Sequence, residues 1–103
     1  MNKPERLQVS ELEWQHIAAI LQQYLSQYPV WAFGSRVQGK AKPYSDLDLA
    51  IISQQPLPLS QLAEVAEAFS ESDLPWKVDL VDWASTSADF KRIIEAQKLV
   101  IQP

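Results

Sequence analysis

The sequence predicts a small α/β or α+β fold, in which a mixed sheet of about three strands is flanked by helices. Two observations lead to this prediction. Short apolar runs that are typical of buried strands alternate with longer segments whose apolar residues recur at helical spacing. The chain has 103 residues, of which 47% are hydrophobic, and this size fits one globular domain over residues 1–103.

Local signals place the individual elements. Ser10 and Glu13 have the spacing of a helix capping box, and prolines and glycines separate the later segments. The predicted elements are, in chain order, a helix over 11–25, a strand over 30–33, a possible short helix within 35–42, a strand over 47–52, a helix over 59–70, a strand over 76–81 and a last helix capped by Thr86 or Ser87. In the last helix, we expect Phe90, Ile93 and Ile94 to point inward. Residues 99–101 are too few to assign.

The composition excludes several classes of protein. The chain has no cysteine, which rules out thiolate catalysis, Cys-ligated metals and disulfides, and we expect a cytoplasmic location. The longest apolar run, Ile17–Leu21, is far shorter than the roughly 18 residues that cross a bilayer, and no secretory signal is evident, so no membrane association is expected. The net charge of −4 argues against bulk electrostatic binding of nucleic acid.

Acidic residues lie in two of the predicted strands. Asp46 and Asp48 are two residues apart, so their side chains point to the same side of the sheet. Two carboxylates beside apolar neighbours repel each other unless a cation lies between them, and Mg²⁺ prefers such oxygen ligands. Asp79 becomes the third ligand if its strand neighbours the second one. Asp82 is offset from it by three residues, which places it on the opposite face, and we interpret it as structural.

A glycine turn precedes these aspartates. Gly34 ends the first strand, and free backbone N–H groups after it would favour a bound anion. Gly34 permits close approach, the Ser35 hydroxyl can donate to a phosphate oxygen, and Arg36 can add a charge-assisted hydrogen bond. A phosphate-binding turn beside three carboxylates predicts metal-dependent attack on a nucleoside triphosphate. We interpret Lys40 and Lys42 as solvated.

The motifs resemble those of the minimal nucleotidyltransferases of the DNA polymerase beta superfamily. The similarity covers nearly the whole chain and rests on Gly34 to Gly39 (GSRVQG), Ser45 to Leu49 (SDLDL) and Val78 to Val81 (VDLV). It implies a polymerase-beta-like nucleotidyltransferase fold. Many members have a second arginine where this chain has Gln38, which bears on its affinity for the triphosphate.

The resemblance also implies residue roles and partners. Gly34 and Ser35 would contact ATP, and Asp46, Asp48 and Asp79 would be catalytic and bind magnesium, with two ions expected. Family members of this size pair with a helical HEPN-type protein, and in toxin–antitoxin pairs the minimal enzyme resembles an antitoxin that adenylylates a tyrosine of its partner. A homo-oligomer is also possible for a chain this short.

Two other functions remain open on the sequence. The chain could neutralise a helical partner by occupancy alone, without catalysis. It could instead transfer a nucleotide to a small molecule, although the second domain expected for that activity is missing. No second histidine accompanies His16, which argues against a histidine metal site or base.

Overall fold

The computed structural model describes residues 1–103 and contains three α-helices, four strands and one short 3₁₀ turn. The elements are α1 (Glu11–Tyr24), β1 (Val30–Phe33), β2 (Leu47–Ile51), α2 (Leu59–Ser70), β3 (Val78–Asp82), the 3₁₀ turn (Trp83–Ser85), α3 (Ala88–Gln97) and β4 (Leu99–Gln102). The predicted capping box is present at α1, where Ser10 and Glu13 accept each other's backbone N–H. None of the helices is long and apolar enough to span a membrane.

The strands form one mixed sheet in the order β3-β2-β1-β4. β1 is antiparallel to both β2 and β4, whereas β2 and β3 are parallel. The prediction of a mixed sheet flanked by helices is confirmed, but the sheet has a fourth strand. β4 is only four residues long, too short to show a period of its own, and it is defined by its pairing with β1.

The two faces of the sheet are covered unequally. On one face, α1 and α2 enclose the larger apolar cluster, which includes Trp14, Ile17, Leu49 and Val65. On the other face, α3 contributes Ile94 to a small cluster with Phe33 and Ala50. Side chains alternate along a strand, so Asp48 lies on the same face as Ala50, beside α3.

Two predictions for single elements are wrong. Residues 35–39 form hydrogen-bonded turns and no helix, because Gly39 has φ +74°, outside the helical region. In α3, the prediction fails for Ile93, which is 50% exposed. Ile94 is fully buried, and Phe90, although 37% exposed, packs edge-on against Phe33. No second helix flanks α3 on this face, so only a narrow stripe of it meets the sheet.

Asp82 holds the loop that follows β2. Its carboxylate accepts hydrogen bonds from the Ser53 hydroxyl at 2.6 Å, the Leu57 N–H at 3.0 Å and the Ser85 hydroxyl at 2.9 Å. Burial by itself would raise the pKa of Asp82, but these bonds outweigh it, and the net pKa is lowered. This arrangement fits the structural role expected from its position in the strand.

We expect Asp82→Asn to lower the free energy of unfolding at neutral pH by about 1–3 kcal/mol, because one acceptor becomes a donor facing other donors. Since the folded-state pKa is lowered, the carboxylate stabilises the fold above its unfolded pKa of about 3.9, and this contribution is lost as the pH falls. Chemical denaturation of both proteins at several pH values measures this. A difference that stays constant down to about pH 3 would contradict the role.

Candidate active site

Asp48 and Asp79 lie side by side at one end of the sheet, on the face that carries α3. Asp48 pairs in register with Phe33 of β1 on one side and with Asp79 of β3 on the other. The adjacency of β2 and β3 that the site requires is therefore present. Asp46 lies just before β2, two residues from Asp48, on the same side of the chain if the extended backbone continues.

The charge distribution makes Asp48 the centre of this group. Burial raises the pKa of Asp48, and the negative charges of Asp79 and Asp46 raise it further. The three carboxylates are thus close enough to repel one another. A divalent cation between them would reverse this repulsion, and carboxylate oxygens are the ligands that Mg²⁺ prefers.

Asp79 already has a cationic neighbour. The Lys77 ammonium lies 3.1 Å from Asp79 Oδ1, and the pKa of Lys77 is raised by this hydrogen bond, by the charge of Asp79 and by that of Asp46. No group of three or more His, Asp or Glu side chains is arranged so that it could hold a metal ion. Asp79 would therefore have to leave Lys77 before the aspartates could share an ion. Both side chains are largely solvated, at 72% and 40% exposure, so the ion pair is weak.

Gly34 lies directly against Asp48. It has φ +84°, and a Cβ added there would stand 2.3 Å from Asp48 Oδ2. Both facts require glycine: the left-handed backbone is costly for other residues, and a side chain would displace the carboxylate. The turn and the aspartates are therefore parts of one site.

The turn after Gly34 presents unpaired donors. The backbone N–H groups of Ser35 and Arg36 and the Ser35 hydroxyl make no hydrogen bond within the protein, whereas the carbonyls of Gly34 and Ser35 accept bonds from residues further along the turn. Such free donors at the start of a helix-like turn form an anion site. Together with Asp48, they place a phosphate-binding surface next to the carboxylates.

The Gly34 N–H is not one of these free donors. It donates to Gln97 Oε1 at 3.0 Å. This hydrogen bond links the turn after β1 to the end of α3, in addition to the pairing of β1 with β4. Sequence reasoning missed Gln97, which is 63 positions away and matches no motif. It also missed Lys77. Because residues two apart in an extended segment point to the same side, the spacing of Lys77 and Asp79 could have predicted their ion pair.

The Arg36 side chain does not point at the phosphate-binding surface, as the sequence suggested, but into the protein. The residue is only 5% exposed, and its guanidinium donates to backbone carbonyl groups of the protein itself. These contacts take the place of the phosphate contact suggested by the sequence. The reason is that the turn directs this side chain toward the loop before Asp46.

Comparison with known proteins agrees with this geometry. A sequence profile of the family described as polymerase beta, nucleotidyltransferase, matches residues 15–102. The chain therefore belongs to the polymerase beta nucleotidyltransferase family.

Individual relatives are more specific. The chain is 58% identical over 97 residues to a probable protein adenylyltransferase MntA of Haemophilus influenzae, covering 94% of this chain and 85% of the relative. A crystal structure of a toxin–antitoxin with AMP-PNP superposes with a TM-score of 0.71 at 28% identity, covering 84% of this chain and 69% of that one. A structure of a tri-AMPylated Shewanella oneidensis HEPN toxin in complex with an MNT antitoxin gives a TM-score of 0.65 at 26% identity, covering 87% and 69%.

Proposed function

We propose that the chain is a magnesium-dependent protein adenylyltransferase that transfers AMP from ATP to a tyrosine hydroxyl of a HEPN-type partner, and that it acts as the antitoxin of that pair. The observation that carries the proposal is the contact of the Gly34 turn with Asp48, flanked by Asp46 and Asp79. The relative named as a probable protein adenylyltransferase and the AMPylated toxin complex support the choice of reaction and partner.

The residues fit a metal on chemical grounds. Asp46, Asp48 and Asp79 would hold it, because burial and the charges of Asp79 and Asp46 raise the pKa of Asp48, and a bound cation would favour its ionised form. Bound there, Mg²⁺ would offset the charge that develops on the departing pyrophosphate. Asp79 must first exchange its ion pair with Lys77, which its exposure permits.

The protein groups have separate tasks in the transfer. The Ser35 and Arg36 N–H groups and the Ser35 hydroxyl would hold the triphosphate, and thereby orient the α-phosphorus. The acceptor oxygen forms a bond to that phosphorus while the bond to pyrophosphate breaks. The tyrosine proton would pass to Asp79, the carboxylate at the edge strand, or to water.

The direct test uses the purified complex of this chain with its HEPN partner, α-labelled ATP and Mg²⁺. We expect one or more labelled AMP groups on partner tyrosines, located by mass spectrometry, and loss of labelling in Asp46→Asn. Asp73→Asn is the matched control, since it removes an exposed carboxylate outside the site. Absence of label in the wild-type complex, or undiminished labelling in Asp46→Asn, would contradict the proposal.

One observation favours a second candidate function, neutralisation of the partner by occupancy alone. The Lys77 ammonium lies 3.1 Å from Asp79 Oδ1, so one of the three carboxylates already has a cationic partner within the chain. The same experiment separates the two functions. If Asp46→Asn still neutralises the partner and no label appears with either protein, occupancy is the function.

A further inference from the structure

Arg36 connects the separate segments that carry the site residues. Its Nε donates to the Ser45 carbonyl at 2.8 Å, Nη1 to the Gln8 carbonyl at 2.7 Å, and Nη2 to the Pro43 and Lys42 carbonyls at 3.2 and 3.3 Å. Ser45 is the residue before Asp46. One buried side chain thus joins the turn after Gly34 to the loop that delivers the first aspartate.

Arg36 also contacts the segment before β3, through the aromatic ring of Trp76. The Arg36 guanidinium carbon lies 4.3 Å from the ring centroid of Trp76, a residue that is 8% exposed and immediately precedes Lys77. This distance is within the range of a cation–π contact. Since Asp79 follows three residues after Trp76, the same guanidinium also adjoins the start of the strand that carries Asp79.

The Arg36 guanidinium is buried, and this burial lowers its pKa. Arg36 forms no ion pair with a carboxylate. Its charge is stabilised by carbonyl dipoles and one aromatic face, and by the more distant charges of Glu13 and Asp46. Burying a charge is costly even when it is hydrogen-bonded. A planar guanidinium with five N–H groups can hold several carbonyls in fixed relative positions, whereas a lysine ammonium cannot.

We propose that Arg36 is a positioning residue, which sets the position of Asp46 and of the Asp79 strand relative to the phosphate-binding turn. The inference rests on the proposed function, because it concerns how the metal ligands and the triphosphate donors are held in register. It assigns the Arg36 guanidinium no contact with the nucleotide; only the backbone N–H of this residue faces the triphosphate in the proposed function. Trp76 has the same task through its contact with the guanidinium.

This role predicts a specific pattern of binding defects. When the segments lose their register, the carboxylates and the triphosphate can no longer ligate the same ion, so binding of the metal in the presence of ATP weakens. If Arg36 contacted phosphate directly, removing the Trp76 ring would leave the metal affinity unchanged. A residue that served the fold alone would lower the melting temperature and leave the binding constants of the folded protein unchanged.

The test measures Mn²⁺ affinity by electron paramagnetic resonance, with ATP present, on the 103-residue chain. We expect Arg36→Lys and Trp76→Leu each to weaken Mn²⁺ binding by about 10–100-fold, the range for residues that orient metal ligands. Trp76→Phe, which keeps an aromatic face, should restore most of the affinity. Arg6→Lys, at an exposed arginine, is the matched control and should bind as the wild type does.

The outcomes separate the inference from the proposed function. Wild-type protein that fails to bind Mn²⁺ with ATP would overturn the proposed function. Wild-type binding with unchanged affinity in folded Arg36→Lys would overturn the positioning role, as would a normal affinity in Trp76→Leu beside a defect in Arg36→Lys. If Arg36→Lys does not fold, the comparison of Trp76→Leu with Trp76→Phe decides, and equal affinities there would overturn the role.

Discussion

Gly34→Ala is expected to reduce adenylyl transfer by at least about 100-fold, the scale observed when a group that stabilises the transition state is misplaced. The added Cβ would stand 2.3 Å from Asp48 Oδ2. Either the carboxylate rotates away from the metal site or the turn moves away from the carboxylate. Each movement separates the triphosphate donors from the metal ligands. Steady-state transfer to the partner, measured on folded protein, tests the loss.

Gly39→Ala is a matched control for this substitution. Gly39 also has a positive φ, +74°, but a Cβ there would meet nothing within 4 Å. Both variants therefore carry backbone strain of about 1–2 kcal/mol, and only Gly34→Ala adds a collision with a site residue. We expect similar losses of stability from the backbone and a loss of transfer in Gly34→Ala alone. Equal activity of the two variants would refute the proposed contact between the turn and Asp48.

Asp48→Asn is expected to abolish transfer while stabilising the metal-free protein at neutral pH. Burial and the charges of Asp79 and Asp46 raise the pKa of Asp48, so its ionised form opposes folding. Because its folded-state pKa is raised, the folded protein binds the Asp48 proton more tightly than the unfolded chain does. The contribution of Asp48 to the free energy of unfolding is therefore fully present below the unfolded pKa of about 3.9, and it is lost as the pH rises through the folded-state pKa. The substitution removes that penalty together with a metal ligand.

Thermal unfolding with and without Mg²⁺ and ATP checks both parts of this prediction. Without metal, Asp48→Asn should melt above the wild type at about pH 7, and the difference should shrink as the pH falls below about 3.9, where Asp48 becomes protonated in both states. With metal and ATP, only the wild type should gain stability by mass action. A metal-free variant that melts below the wild type at neutral pH would contradict the account of Asp48.

The candidate site residues on and just before β2 could be predicted because their signal is local. Asp46 and Asp48 are two positions apart beside an apolar strand, and the period of a strand places both on one side. Gly34 was likewise found from its position at the end of β1. The collision that makes Gly34 necessary could not be predicted, because it depends on the pairing of Phe33 with Asp48.

The contacts that organise the site depend on the tertiary structure. Arg36 looked like a phosphate ligand because a basic residue next to a Gly-Ser turn has that use, yet its side chain turns inward to carbonyls distant in sequence. Gln97 reaches Gly34 only because β4 returns to pair with β1. The partners of Arg36 and Gln97 are distant in sequence, so no residue spacing predicts them.

The helix α3 shows what helical periodicity can and cannot predict. Its apolar stripe correctly indicated a helix and the buried Ile94, but periodicity does not say how much of a stripe finds a partner. Ile93 is half exposed, and Phe90 reaches only the edge of the small cluster, where it packs edge-on against Phe33, because α3 is the only helix on its face of the sheet. The prediction therefore failed in its count of buried residues, and the helix itself is present.

The central claim is that Asp46, Asp48 and Asp79 converge on metal ions beside a triphosphate held by the Gly34 turn. The most direct measurement is an anomalous difference map from crystals of this chain grown with Mn²⁺ and a non-hydrolysable ATP analogue. We predict anomalous density between the three carboxylates, phosphate oxygens on the Ser35 N–H and hydroxyl, and Lys77 released from Asp79. Nucleotide bound in that turn with no anomalous density, and with the Lys77–Asp79 pair intact, would contradict the claim.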